Sequence, residues 1–471
     1  MNNIADFSPF TLNDDQKIAA GLIQNFIQDT EDQVFILKGH AGTGKTTLMK
    51  AVVRYLKDQK REPILLASTG RASKILSEKT EIESSTVHKH IYTMQMDERS
   101  ENESNPKLVF VLRMNAAPTN AVYIVDESSM LSNHQISGGF LNFGTGRLLT
   151  DLFRFIGKRK IIFVGDAAQL PPVNCAESPA MWRQSIQANH QVFAQEFTLE
   201  QVMRFNENSG INSNANALRK IIYGQTSSAN FKLRASQYPE IATYPLDSLM
   251  SEHFGYQFKR NGPENQIFLV YSNRMANEIN KLIRRELGLN HTHIANGEWF
   301  MVSQNNYMYE VSNGDHLELL DFDKQVEHKA GLKFRKVMLK KHDQAGGKVV
   351  SALLIDDLLY QDAPNLSVEQ EQLLFKDFAI RMSKENIKPK QNKETYLMRM
   401  LSDPYLNALR LKYGYAITCH KAQGGEWPEV FVVLENALFH PNNAAWMHRW
   451  IYTAITRASL KLHLRENLLI R

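Results

Sequence analysis

The sequence predicts an α/β protein of two parallel-sheet domains, interrupted by a β-hairpin and by a small β-barrel. Three observations carry this. Short apolar runs at Val34–Leu37, Ile64–Ala67, Val122–Val125, Ile161–Val164, Ile267–Val270, Tyr415–Ile417 and Val430–Leu434 are rich in Val and Ile, as strands buried on both faces require. Helical patterns lie between several of them, such as Ile18, Ala19, Leu22, Ile23, Phe26 and Met275, Ile279, Leu282, Ile283, at three-to-four spacing. The runs also fall in two groups, before residue 165 and after residue 266, which suits two sheets better than one very large one.

Two segments break the alternation. The polar stretch Asp97–Asn105 separates Ile91–Met96 from Leu108–Leu112 and reads as the turn of a protruding hairpin. From 298 to 404 the pattern shifts to short alternating strands, Trp299–Val302, His316–Leu320, Lys333–Leu339 and Lys348–Ile355, followed by a helical stretch near Val368–Met382. That is the pattern of a small barrel with a helical appendage. The expected division is therefore 1–200 for the first domain, with the hairpin at about 89–115, then 201–297 with 405–471 for the second domain, and 298–404 for the insertion. The Gly-rich stretch Gly138–Gly146 follows no strand directly and reads as loop. The basic run Lys333–Lys341 reads as the solvated face of a barrel strand.

With 471 residues, 43% hydrophobic and 22% charged, the chain has the composition of a folded multidomain protein, which excludes wholesale disorder. No apolar run approaches the ~20 residues of a membrane helix and the N-terminus has no leader pattern, so a cytoplasmic location and no membrane partner are expected. Only Cys175 and Cys419 occur, which excludes a disulfide framework or a zinc set and suits a reducing compartment. The net charge of +5 is compatible with a polyanionic partner without requiring one.

The chemistry begins at Gly39-His40-Ala41-Gly42-Thr43-Gly44-Lys45-Thr46, which matches G-x-x-x-x-G-K-[ST] between a strand and the helix Thr46–Leu56. Glycines let backbone N–H groups close on phosphates, Lys45 reaches the β and γ oxygens, and the Thr46 hydroxyl meets Mg²⁺. Thr47 completes the candidate nucleotide-binding run. A P-loop also needs a carboxylate for the metal and a base for water; Asp126 and Glu127, ending the strand Val122–Val125, fit those roles. Gln169, on the loop Gly165–Pro172 after the next strand, is placed to sense the γ-phosphate. Gln16, just ahead of the first helical pattern, can read adenine through its amide, although a capping role explains it equally well.

With these residues in place, the run of motifs resembles the superfamily 1 helicases, in the RecD-like and Dda-like group of 5′→3′ DNA helicases. Gln16, the P-loop, Leu66–Ala72, Ser85–His88, Asp126–Met130, Gly165–Pro172, Leu199–Arg204, Tyr271–Arg274, Gly414–Gly424 and Tyr452–Ala458 occur in family order over nearly the whole chain. The resemblance implies two RecA-like domains with ATP and Mg²⁺ between them, a hairpin acting as strand-splitting pin, and an SH3-like insertion whose turn is Asn313–Asp315. It makes Arg204 and Arg457 the arginines completing the ATP site and adds Glu426 to the nucleotide contacts. Thr69, Thr86, His88, Thr418 and His420 become candidate DNA contacts. Tyr92 or Phe110 on the hairpin could wedge against the first base pair, and packing of these aromatics onto their own domain is at least as well founded a reading. The implied partners are single-stranded DNA and its junctions with duplex, in replication, repair or recombination. Two departures stand out: no nuclease or partner-binding extension flanks the core, so a RecBCD-type assembly is not expected, and Gly138–Gly146 is longer than the family's loop at that place. A P-loop switch without translocation, an RNA motor and a 3′→5′ motor are the competing readings of the same motifs.

Overall fold

The computed structural model describes residues 2–96, 108–135, 142–203, 209–228, 231–246, 264–289, 293–341, 347–440, 444–466 and 469–470. Six parallel strands form the first sheet: β1 (Val34–Gly39), β2 (Pro63–Ala67), β3 (Ser84–Thr86), β6 (Val122–Asp126), β8 (Lys160–Gly165) and β9 (Ala194–Leu199), in the order β3-β2-β6-β8-β1-β9. Every residue of β1 is buried, and the side chains alternate between two cores. Phe35 and Leu37 join one packed by helices α1 (Asp14–Gln28) and α2 (Lys45–Asp58), while Val34 and Ile36 join the other. Burial on both faces is why the apolar runs lack a polar alternation.

The second sheet is also parallel: β10 (Ile241–Tyr244), β11 (Gln266–Val270), β18 (Ala416–Thr418), β19 (Trp427–Val432) and β20 (Ala458–Arg465), ordered β10-β20-β19-β11-β18. Each parallel sheet gathers the carboxyl ends of its strands on one edge, where α/β proteins place their ligands.

Between β11 and β18 stands an antiparallel sheet built from β12 (Trp299–Val302), β13 (His316–Phe322), β14 (Glu327–Lys329), β15 (Leu332–Lys341), β16 (Lys348–Ile355) and β17 (Leu411–Tyr413). β15 alternates as expected, with Phe334, Val337 and Leu339 inside and Lys333 and Lys336 outside. The insertion extends beyond the expected boundary at 404, because Phe300 on β12 pairs with Tyr413 on β17. Two helices, Val368–Lys384 and Lys393–Leu401, pack through Phe378, Met382, Tyr396 and Met400, and Met94 of the hairpin lies against them.

The hairpin strands are β4 (Tyr92–Met96) and β5 (Leu108–Leu112); its turn lies outside the described residues. Gly138–Gly146 is not simply loop. Residues 136–141 are outside the description, but β7 (Asn142–Phe143) pairs with β5, and Thr145 donates from its N–H and hydroxyl to buried Asp151. Of the two readings of the hairpin aromatics, packing onto their own domain is the one observed. Phe110 stacks on Phe143, with centroids 4.3 Å apart, and Tyr92 donates its hydroxyl to Asp151 at 2.8 Å. Both rings are buried at the hairpin's root, where packing outweighs exposure to a ligand.

Candidate nucleotide cleft and nucleic-acid interface

The P-loop connects β1 to α2 without a side-chain cap. Gly44 takes the N-cap place at φ +76° and Gly42 sits at φ +83°, backbone that a side chain would strain. Space matters equally at Gly44, where a Cβ would fall 2.4 Å from Gln16 Nε2. Lys45 Nζ donates to the carbonyls of Gly39 at 2.8 Å and His40 at 3.0 Å, so the ammonium lies along the loop's inner wall. Gln16 is the third residue of α1. Its Oε1 accepts from Asn13 N–H in a reciprocal cap, and its Nε2 donates to Thr43 O at 3.0 Å. The amide thus ties the first helix to the P-loop as well as capping it.

Pairing of Ala67 with Asp126 brings the ends of β2 and β6 side by side. The chain then turns sharply: Glu127 adopts φ 50°, ψ 39°, a left-handed conformation costing a non-glycine residue about 1–3 kcal/mol. Such a residue persists only where its surroundings hold it, and here Asp126 Oδ1 accepts from Glu127 N–H at 2.9 Å. Burial raises the pKa of both carboxyls; for Glu127 the neighbouring Asp126 raises it further, while Arg457 and Lys45 oppose the rise.

These groups open on one cleft of about 520 Å³. From the first domain it is lined by Gly42, Gly44, Lys45, Thr46, Thr47, Asp126 and Glu127, and from the second by Gly424, Gly425, Glu426 and Arg457. The two domains meet tightly beside Glu127: a Cβ on Gly424, at φ +74°, would stand 3.7 Å from Glu127 Cγ and 3.9 Å from Thr69 Oγ1. Arg457 is held by carbonyls of its own domain, donating from Nε to Thr453 O and from Nη1 to Gly425 O, both at 3.0 Å, and from Nη2 to Thr456 Oγ1 at 3.2 Å. Among the described residues it has no carboxylate partner within 4.0 Å.

Other expected residues stand behind this surface. His40, Thr43 and Gln169 are buried and do not face the cleft, and neither do Gly39, Ala41 and Gln16. Gln169 sits in a loop gripped by the second domain: Leu170 N–H donates to Thr453 Oγ1 at 2.9 Å, Gln423 Nε2 donates to Leu170 O at 2.7 Å, and Arg449 donates to Ala167 O. Burial alone would raise the Asp166 pKa, but His40, Lys45 and the Tyr452 hydroxyl hold it well below the usual carboxylate range. Arg204 lies outside the described residues.

The expected nucleic-acid contacts lie on both domains. Thr69 caps the helix Gly70–Thr80 and Thr86 caps Val87–Ile91, each accepting from an N–H three residues on at 3.2 Å. His88 is enclosed by Tyr92 and Phe143, and burial brings its pKa down to about 4, so it is neutral at pH 7. Thr418 ends β18, nearly buried, and His420 lies against Trp446 with burial lowering its pKa. Neighbouring Cys419 is wholly buried with its thiol pKa pushed up, as an inert core residue.

Two further cleft residues were not singled out in the sequence, although Met203 lies within the motif Leu199–Arg204. Phe10, 68% exposed, and Met203, 55% exposed, stand at the rim as large apolar side chains beside the P-loop. Nothing in their local pattern distinguishes them from ordinary surface apolar residues. Elsewhere, a groove of about 420 Å³ runs between the hairpin root at Met94, Phe110 and Phe143 and the insertion at Asn305, Tyr307 and Met400.

Comparison with known proteins follows the same division. Residues 11–236 match the family model of an AAA domain, and residues 413–465 match that of the UvrD-like helicase C-terminal domain. These two matches support the resemblance to the superfamily 1 helicases. The chain is 24% identical to an uncharacterized protein of Methanocaldococcus jannaschii over 92% of its own length, and spans only 36% of that protein. It is 22% identical to an uncharacterized protein of Acanthamoeba polyphaga mimivirus, covering 96% of this chain and 99% of the relative. Similar solved structures include Bacteroides Pif1 bound to single-stranded DNA, at 14% identity, 98% and 94% coverage and a TM-score of 0.49. Candida albicans Pif1 helicase is similar at 14% identity, 98% and 95% coverage and a TM-score of 0.47.

Proposed function

We propose that this protein is an ATP-dependent DNA helicase of the RecD-like group, translocating 5′→3′ on single-stranded DNA and separating duplex by closure of its two parallel-sheet domains. One observation carries the reading: Lys45 and Glu127 of the first domain share a cleft with Arg457 of the second. A pocket completed across two domains converts nucleotide binding into relative motion.

Lys45 grips the triphosphate, and Glu127 takes the proton of the attacking water. Thr46 and Asp126 line the same cleft with hard oxygen donors, a set suited to Mg²⁺, which would neutralise charge on the phosphates. Arg457 supports the charge that spreads over the transferring phosphoryl group. Phe10 and Met203 at the cleft rim offer an apolar platform for the base. Thr69, Thr86 and His88 on one domain, with Thr418 and His420 on the other, are the proposed DNA track; the neutral state of His88 suits stacking rather than charge pairing. The hairpin is the proposed pin, braced by β7 and Met94, with the antiparallel insertion as its SH3-like neighbour. Free thiols at Cys175 and Cys419 support a reducing, cytoplasmic setting.

The deciding assay is unwinding of duplexes bearing either a 5′ or a 3′ single-stranded tail, with ATP and Mg²⁺. Unwinding of the 5′-tailed substrate is expected. Preference for the 3′ tail would reverse the polarity, and ATP turnover indifferent to single strands would make the protein a switch. Lys45→Ala is expected to abolish turnover, and retained turnover would refute the phosphate assignment.

A further inference from the structure

The seam between the domains contains a line of buried polar groups that the nucleotide chemistry does not itself use. At its centre is Asp166, 1% exposed, at the end of β8. Its Oδ2 accepts from the Tyr452 hydroxyl at 2.6 Å, across the domain boundary. Its Oδ1 accepts from Ala168 N–H at 3.0 Å and lies 3.7 Å from Nδ1 of His40 in the P-loop. The His40 carbonyl in turn receives Lys45 Nζ. On the other side, Tyr452 sits in the helix Ala444–Ile455, immediately before Thr453, whose carbonyl accepts from Arg457 Nε. Lys45, His40, Asp166 and Tyr452 thus stand in series toward the segment that holds Arg457, joined by hydrogen bonds except at the 3.7 Å contact between His40 and Asp166.

We infer that Asp166 and Tyr452 form an interdomain latch through which P-loop occupancy sets the position of Arg457. The inference rests on the proposed two-domain motor and adds to Gln169, whose Nε2 also donates to Asp166 at 3.5 Å, a link that crosses to the second domain. Its physical basis is a buried carboxylate whose partners come from both domains. Such a group cannot lose one without a cost, so a shift of His40 is felt at the Tyr452 hydroxyl. When Lys45 moves from the His40 carbonyl toward a triphosphate, the loop segment carrying the imidazole is released, and the contact with Asp166 changes. Tyr452 is therefore a positioning residue. The surrounding bonds from Arg449 and Thr453 to the Ala167–Leu170 segment make the seam move as one piece rather than fray.

Tyr452→Phe tests this, because the ring keeps its place in the core while the hydroxyl is lost. Expected are unchanged nucleotide affinity and unchanged DNA-free turnover, with stimulation of kcat by single-stranded DNA reduced about tenfold, a typical coupling between sites. A double-mutant cycle with His40→Ala should be strongly non-additive, since both act through Asp166. Full stimulation in Tyr452→Phe, or additive effects in the cycle, would overturn the latch. A fall of nucleotide affinity in step with kcat would likewise assign Tyr452 to structure alone. Asp166→Asn, which keeps an acceptor but removes the charge, gives the same reading if the tyrosine variant fails to fold. If the wild-type protein itself shows no stimulation by DNA, it is the motor reading that fails, and the two failures are separable.

Discussion

Removing the guanidinium of Arg457 tests whether the cleft works as a two-domain catalyst. Among the described residues lining the proposed site, this group is the cation that comes from the second domain, and an arginine in that role contributes roughly 10³–10⁵ in rate. At about 1.36 kcal/mol per tenfold, Arg457→Ala should raise the barrier by about 4–7 kcal/mol. Nucleotide affinity should fall far less, because the P-loop, Lys45 and the cleft's first-domain wall remain. Stability also changes: each of the three hydrogen bonds from Arg457 that water does not replace costs roughly 1.5–3 kcal/mol. Thermal unfolding should therefore accompany the kinetics, and Arg457→Lys, which keeps the charge but not the fork, should fall between wild type and alanine. Arg457 also opposes the rise of the Glu127 pKa caused by burial and by Asp126. Without it, Glu127 needs a higher pH to ionise, so the acid limb of the rate profile should move upward. The assay is phosphate release at saturating single-stranded DNA, with binding followed by a fluorescent nucleotide. Turnover within about tenfold of wild type, in a folded variant, would refute transition-state support by Arg457.

Glu127→Gln should leave nucleotide binding intact while turnover drops about 10²–10⁴-fold, as loss of a general base predicts; lost binding would show that the residue holds the nucleotide instead. Phe10→Ala should raise KM for ATP with little change in kcat, since a base stack is worth ~1–3 kcal/mol, and an unchanged KM would remove Phe10 from the base platform. The buried pair Arg284–Glu298, at 2.5 Å, joins the helix Asn273–Glu286 to the entry of the insertion. Arg284→Ala and Arg284→Met should each cost about 3–5 kcal/mol by urea unfolding, because both leave the Glu298 carboxylate buried without its cation, whereas Arg284→Met combined with Glu298→Leu should cost much less; a double variant as costly as the singles would argue against desolvation.

Much of the architecture was legible from local pattern. β1, β2, β6, β8, β11, β18 and β19 lie where continuous apolar runs predicted them, since burial on both faces writes itself into consecutive residues. β9 and β10 escaped notice because each stands at a sheet edge, and β20 because its polar residues, such as Ser459 and Lys461, interrupt the apolar run. β17 was misassigned because three residues carry no periodicity; its place in the antiparallel sheet follows from pairing with β12, more than a hundred residues away. The hairpin aromatics allowed two readings. Tyr92 and Phe110 are chemically suited to a wedge, but Phe143 and Asp151 supply partners that draw them inward.

By itself, the sequence determined the P-loop and its acidic companions, because phosphate and metal chemistry restrict residue types at short spacings. Gly44, Lys45, Thr46, Asp126 and Glu127 needed only their neighbours in the chain to be recognised. Tertiary structure alone decided what those residues face. Arg457 reaches the cleft, Gly424 lies beside Glu127, Phe10 stands at the rim, and Tyr452 bonds Asp166 only because the two domains meet there. Contacts between residues hundreds of positions apart depend on the packing of whole domains, and no local spacing encodes that.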